Sequence, residues 1–225
     1  MDHKQFYKKY LNLGLRGKEK SARWYDEDNL KNIGMFNDTV KHKFIADVIR
    51  KFKKKGKILE MGCNDARLAM YLPEFKYCGQ DISPRIVERA KIRCEAEVGD
   101  AYLPKWLDFK FDVIVSSDLI EHLERPFDHI KACFDSLKQD GIFFVFTPNA
   151  LCAKNLALIS NLDRVPPEPD NHINMMTYWK LGRLLVHAGF KKLTWVGNKP
   201  EIEDFLVVVC EKDDKEKNRS ANSDK

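Results

Sequence analysis

The chain has few of the features that would take it out of the cytoplasm. Six cysteines stand at positions 63, 78, 94, 133, 152 and 210, and no two of them form a Cys-x-x-Cys pair. That excludes the usual paired-thiol zinc and redox motifs and leaves reduced thiols of a cytoplasmic protein as the expectation. The opening MDHKQFYKKY holds no apolar core of signal-peptide length. The longest apolar runs, IFFVF and FLVVVC, are strand-sized and far short of a membrane span. No segment repeats, which excludes solenoid and propeller arrays. Gly-x-Gly-x-x-Gly is also absent, which argues against a nicotinamide dehydrogenase, because close approach of a pyrophosphate needs those glycines.

What is present suits one domain. With 225 residues and 44% apolar content, the chain can bury one sizeable core. The net charge of +5 is uneven: residues 1–57 carry 16 Lys and Arg against 7 Asp and Glu, so the remainder is acidic. A basic segment can meet phosphate or RNA, but Lys51 to Lys57 reads equally as the solvated end of a helix, where cations are favoured.

The organising stretch is KILEMGCNDARLAMYL, Lys57 to Leu72. Ile58 to Met61 form a strand around one carboxylate, Glu60. A tight turn, Gly62-Cys63-Asn64-Asp65-Ala66, then leads into an apolar-periodic helix through Leu68, Ala69 and Leu72. Strand, turn and helix open a nucleotide-binding unit, with glycine allowing close backbone approach and Asn64 tolerating positive φ. Upstream, Val40, Phe44, Ile45, Val48, Ile49 and Phe52 recur on one helical face that Gly56 ends. Downstream, FKYCGQD is a second strand ending in Asp81, 21 residues beyond Glu60, followed by a helix from Pro84 to about Cys94. An acidic residue about 20 positions on, at the tip of the second strand, is where dinucleotide folds hold ribose hydroxyls; a helix-capping aspartate is the plainer reading.

Further strands follow in AEVGDAYLP, FKFDVIVSSD and IFFVFTPN, with a helix from about Pro126 to Leu137 closed by Gln139-Asp140-Gly141. Another helix runs from Thr177 to Ala188 with Thr177 as its N-cap and Gly189 as its stop, before two last strands at about 191–197 and 205–211. Short strands alternating with helices predict a parallel sheet covered on both faces. Three segments lie outside that rhythm: an N-terminal extension, 1–36; a Pro-rich insertion, 149–175; and a polar tail, 213–225, expected to be disordered. The domain proper is expected over 37–212.

In this order the motifs ILEMGCNDARL, CGQDIS, VGDAYLP, FDVIVSSDLIEHLERP, SLKQDGIFFVFTPN and NHINMMTYWKLGRLLVHAGF resemble a class I S-adenosylmethionine-dependent methyltransferase of the broad FDVI-V-x-x-D-x-x-EHL group. The resemblance covers roughly residues 40–211. It implies an α/β, Rossmann-like, seven-stranded, mostly parallel sheet with helices on both faces and the last strand antiparallel. It implies S-adenosyl-L-methionine as cofactor, with Glu60, Gly62, Cys63 and Asn64 under its methionine part and Asp81 with Ile82 at the ribose. Asp100 and Ala101 would meet the adenine, and Ser117 and Asp118 would lie beside the sulfonium. Carboxylates accept paired hydroxyl hydrogen bonds, and negative charge suits a sulfonium. The chain departs from the family's glycine-rich turn at Asn64 and Ala66.

Asp118, Glu121 and His122 share one arc at helical spacing. Three readings are open. Glu121 and His122 hydrogen-bond around the turn after the fourth strand; or His122 is the base that deprotonates a substrate hydroxyl; or Asp118, Glu121 and His122, with His172, bind Mg²⁺ or Mn²⁺, hard carboxylates and imidazoles suiting such an ion. The last resembles the Glu-x-x-Glu-His of small-RNA 2′-O-methyltransferases and of quinone-biosynthesis methyltransferases, with the shorter Asp118 at the first position. His129 and His187 are expected to be structural or surface residues. Aromatics Phe6, Tyr25, Phe36 and Tyr178 suit stacking on a ring or sugar and core packing equally. The expected activity is O-methylation of a small metabolite, saccharide or quinone-type precursor. The rivals are a metal-assisted RNA ribose 2′-O-methyltransferase and a non-catalytic cofactor- or partner-binding module.

Overall fold

Period-two alternation of apolar residues builds the centre of the molecule. The computed structural model describes residues 38–106, 108–152, 172–197, 201 and 203–213. The strands are β1 (Gly56–Met61), β2 (Phe75–Asp81), β3 (Glu95–Val98), β4 (Phe111–Ser117), β5 (Leu137–Pro148), β6 (Lys192–Trp195) and β7 (Phe205–Glu211). They join in one sheet in the order β3-β2-β1-β4-β5-β7-β6. The pairings from β3 through β5 are parallel, and β7 is antiparallel to both β5 and β6. Order reverses between β1 and β4, the switch point outside which open α/β sheets bind ligands.

Each inner strand sends alternate side chains to opposite faces, and both faces are covered. On one, Leu59, Met61, Ile114, Phe143, Val145, Leu206 and Val208 pack with Ile130 and Cys133 of α3 (Pro126–Ser136) and Leu181 and Leu185 of α4 (Tyr178–Ala188). On the other, Ile58, Val113, Val115, Phe144, Val207 and Val209 pack with Ile45, Val48 and Ile49 of α1 (Asp38–Phe52). Glu60 alternates with Leu59 and Met61, so it stands on the α1 face. This placement decides its neighbours at the site. A small third cluster joins Cys63 and Ala66 of the first turn to Val87 and Ala90 of α2 (Pro84–Ala90).

Ser83 caps α2 by accepting from the amide of Ile86, and Thr177 caps α4 through the amide of Lys180. Gly189, at φ 118, ends α4 in the left-handed conformation.

Three expected elements differ. The helix after the first turn is only a 3-10 segment, Arg67–Tyr71, entered through Ala66 at φ 56. Left-handed Asn64 and Ala66 keep the chain out of the α-region before it, and Pro73 closes it after Leu72. α2 stops at Ala90 rather than Cys94, the chain turning through Lys91 to Arg93. Gln139-Asp140-Gly141 lies within β5, where the pairing with β4 shifts register and Asp140 adopts φ 59. The extension 1–36, most of the 149–175 insertion and nearly all of the tail lie outside the described residues, as do Phe6, Tyr25 and Phe36. Among the described residues, no helix is long and apolar enough to cross a membrane.

Candidate active site

The carboxyl ends of β1, β2 and β4 meet at the switch point, and the turn after β1 is fastened there. Amides of Gly62 and Cys63 both donate to the Gln80 carbonyl, at 2.7 and 3.0 Å. Gly62, Asn64 and Ala66 all take positive φ, at 70, 49 and 56°. The turn therefore keeps a glycine-like path with non-glycine residues at two of the three positions. Gly62 has a second constraint: a Cβ there would come within 3.0 Å of a Leu119 methyl.

Asp81 ends β2 and clamps this turn. Its Oδ2 accepts from the Asn64 amide and its Oδ1 from the Ser83 amide, each at 3.0 Å. The aspartate thus has a structural task in holding this turn. Ile82 is half-buried beside it.

The Asp100–Ala101 turn is held from two directions. Gln80, which is buried, donates to the carbonyls of Asp100 and Leu103 at 2.6 and 3.1 Å and accepts from the Lys105 amide at 2.8 Å. His129, fully buried on α3, places Nδ1 2.8 Å from the Ala101 carbonyl and Nε2 3.0 Å from the Ser116 hydroxyl. Burial pushes its pKa down to about 4, so the ring is neutral. Nδ1 then carries the proton donated to Ala101, and Nε2 accepts from Ser116. His129 has the structural role expected of it, as a bridge between a site loop and the end of β4.

Glu60 is buried beneath the first turn. Tyr77 donates to its Oε2 at 2.9 Å. Desolvation outweighs this bond and the positive field of Lys41 and pushes the carboxyl up to about 8. Cys63 beside it is a buried thiol whose pKa burial and nearby carboxyls drive further upward. It is unreactive at neutral pH.

After β4, Asp118 turns at φ 48, its amide donating to the Phe146 carbonyl at 2.9 Å. Its Oδ2 receives the Ser117 hydroxyl at 3.2 Å and the Lys41 ammonium at 2.7 Å. The next residues form a short 3-10 turn, Ile120–His122, that buries Glu121 completely. Glu121 Oε2 accepts from Thr147 at 2.9 Å, while Oε1 is buried with no hydrogen bond. Burial, and the charge of Asp118, push this carboxyl up to about 7.

His172 arrives here from 50 residues on because its loop is tied down. The Asn174 amide donates to the Glu121 carbonyl at 2.8 Å, and its side chain donates to the Leu123 carbonyl at 2.6 Å. The His122 and His172 rings meet edge-on at 4.7 Å, and His122 Nε2 lies 4.0 Å from Glu121 Oε1. One ligand atom from each of Glu121, His122 and His172 falls within 4.8 Å of the others. Asp118 is outside this group and is paired instead with Lys41. Spacing alone did not single out Lys41, Thr147, Gln80 or Asn174. Tyr178 packs against Trp195 at 4.3 Å, on the core.

Residues 36–194 match the methyltransferase domain family. The chain is a class I S-adenosylmethionine-dependent methyltransferase. No curated protein matches it in sequence. Among solved structures, it resembles a SAM-dependent methyltransferase from Thermotoga maritima at 19% identity and TM-score 0.60, over 92% of this chain and 99% of that one. A chain of the complex between the Haloferax volcanii Trm112 methyltransferase activator and a methyltransferase aligns at 13% identity and TM-score 0.63, over 86% and 97%. A SAM-dependent methyltransferase from Archaeoglobus fulgidus aligns at 16% identity and TM-score 0.57, over 76% and 94%. At these identities the structures speak to the fold. The methyltransferase's donor set fits the cofactor: a carboxyl, Glu60, stands one residue before the end of β1, Asp81 ends β2, Asp100 follows β3, and the turn after β1 offers bare backbone at Gly62.

Proposed function

We propose that this methyltransferase acts on oxygen, in a small hydroxylated metabolite, a saccharide or a quinone-type precursor, and that Glu121, His122 and His172 receive the acceptor hydroxyl. The observation that carries this is the buried Glu121 Oε1, which makes no hydrogen bond and faces two imidazoles across less than 5 Å. A buried carboxylate oxygen without a partner costs free energy that a bound cation or a donor hydroxyl recovers. One carboxylate and two imidazoles suit Mn²⁺, or Mg²⁺ with added waters. Such an ion, when bound, lowers the pKa of a coordinated hydroxyl.

The protein's own residues do the remaining work. Glu60, Gly62, Cys63 and Asn64 seat the methionine part of S-adenosylmethionine, Asp81 and Ile82 the ribose, and Asp100 and Ala101 the adenine. Ser117 and Asp118 line the methyl-bearing sulfur. Thr147 fixes the Glu121 carboxylate and Asn174 fixes the His172 loop. Without a metal, His122 takes the acceptor proton itself, and its 4.0 Å separation from Glu121 shortens as the imidazolium forms.

Manganese titration followed by electron paramagnetic resonance, with calorimetric titration of S-adenosylhomocysteine in EDTA and in Mn²⁺, tests both parts. Immobilised Mn²⁺ in the wild type that is lost in Glu121→Gln and His172→Ala supports the ion. Its absence, together with wild-type turnover in His122→Ala on every oxygen acceptor, refutes the assignment of this cluster. The basic balance of residues 1–57 favours a second reading, an RNA ribose acceptor. Phosphate contacts would make RNA affinity fall steeply with salt, and an affinity indifferent to salt would remove that reading.

A further inference from the structure

Lys41 belongs to none of the motifs around the cofactor, yet its ammonium is 2.7 Å from Asp118 Oδ2. It projects from the first turn of α1, and its positive field also reaches Glu60 and Glu121, lowering the proton affinity of both. A single cation therefore acts on the carboxyls that flank the switch point from β1 and from the turn after β4. Both members of the pair are about one-third exposed, at 32% and 35%. At that exposure an ion pair adds little to stability, because water screens it and two side chains must be ordered. Asp118 is held more firmly than a surface carboxylate needs to be. Its backbone is fixed to β5 through the Phe146 carbonyl, and its Oδ2 also receives the Ser117 hydroxyl.

We propose that Lys41 is a counter-ion that gives way to the cofactor's positive charge, neutralising Asp118 whenever that charge is absent. This rests on the reading that puts Asp118 beside the sulfonium. In the transfer, the sulfur–methyl bond breaks as the oxygen–methyl bond forms, and the bonding pair stays on sulfur. The acceptor's proton leaves to a base or to water. Sulfur thus changes from a cation to a neutral thioether, and Asp118 loses the charge it faced. With Lys41 back on Asp118, the carboxylate is paired again and does not stand uncompensated beside the uncharged product, and the next charged cofactor displaces the ammonium at a cost to its affinity. Lys41 accordingly sets how strongly the site distinguishes a cation from a neutral atom at the sulfur position.

The test compares two ligands by calorimetry: S-adenosylhomocysteine, neutral at sulfur, and sinefungin, which carries an ammonium group where the sulfonium methyl stands. In wild type, the incoming cation meets an already neutralised Asp118. In Lys41→Met it meets an unpaired carboxylate, and the sinefungin-to-S-adenosylhomocysteine affinity ratio is expected to rise about tenfold at low salt and less at high salt. Lys41→Arg should keep the wild-type ratio. Lys41→Gln, which preserves a hydrogen bond without the charge, should behave as Met does and serves should the Met variant fail to fold. In an Asp118→Asn background, removing Lys41 should leave the ratio unmoved, which ties the effect to this pair. A ratio unchanged in a folded Lys41→Met or Lys41→Gln protein overturns the proposal and leaves the cofactor assignment standing. A wild type that binds neither ligand overturns the cofactor assignment itself, and this proposal with it.

Discussion

Replacing Glu60 with glutamine tests whether this carboxyl is held protonated beneath the first turn. Its ordinary value is 4.5, and burial lifts it to about 8 in the folded protein. The folded state therefore keeps a proton that the unfolded chain releases above pH 4.5. Stability from this group is fully present below pH 4.5 and is lost as pH rises towards 8. At about 1.4 kcal/mol per pH unit, the loss across that window comes to roughly 5 kcal/mol. A neutral amide has nothing to titrate, and its oxygen can still accept from the Tyr77 hydroxyl that now lies 2.9 Å from Glu60. Glu60→Gln should match wild type near pH 5 and exceed it progressively towards pH 8.5. Urea denaturation at half-unit pH intervals, in EDTA and without cofactor, measures the difference between the two profiles. That difference isolates Glu60 from every other titrating group. Parallel profiles would mean that Glu60 is already ionised in the native protein, and the account of its burial would fail.

Two further substitutions probe the ribose and adenine sides. Asp81→Ala should weaken S-adenosylhomocysteine binding at least tenfold and also loosen the first turn, since it removes the acceptors of the Asn64 and Ser83 amides; unchanged affinity by calorimetry would refute the ribose assignment. His129→Leu leaves the fully buried Ser116 hydroxyl without its partner and should cost about 1–3 kcal/mol. Cofactor affinity should fall with it as the Ala101 turn loses its tie, and His129→Gln should recover part of both. Full affinity in a destabilised Leu variant would confine His129 to the core.

The sheet was legible because its apolar residues alternate. Val113 and Val115 against Ile114, and Ile142 and Phe144 against Phe143, sort onto opposite faces as period two requires. Caps with local chemistry were legible too: Thr177 and Gly189 act within a few residues of themselves, whereas at α2 the cap is Ser83 and not the aspartate, Asp81, that the sequence offered. The 3-10 segment was not. Its apolar spacing is helical, but the backbone path is decided by left-handed Asn64 and Ala66. Helical spacing groups Asp118 with Glu121 and His122, but the segment is not a continuous helix. A positive φ at Asp118 and a single 3-10 turn send its side chain towards α1 instead. Lys41, Thr147 and Asn174 act across 26 to 77 residues of sequence, and no local pattern carries such information.

The site is acidic in character. Glu60, Asp81, Asp118 and Glu121 crowd the ends of β1, β2 and β4, and two of the four are too deeply buried to ionise readily. Four ionised carboxylates there would repel one another and destabilise the fold. Glu60, held protonated against Tyr77, adds no charge to this group, and the Lys41 ammonium stands beside Asp118. On the proposal made for Lys41, its ammonium would leave Asp118 when the cofactor's cation arrives and return when that charge is gone. The same argument separates the two halves of the site. On the α1 side, Lys41 stands beside Asp118 and Tyr77 donates to Glu60. Glu121 Oε1 accepts no hydrogen bond, and that is where the proposed ion or acceptor hydroxyl would have most to contribute.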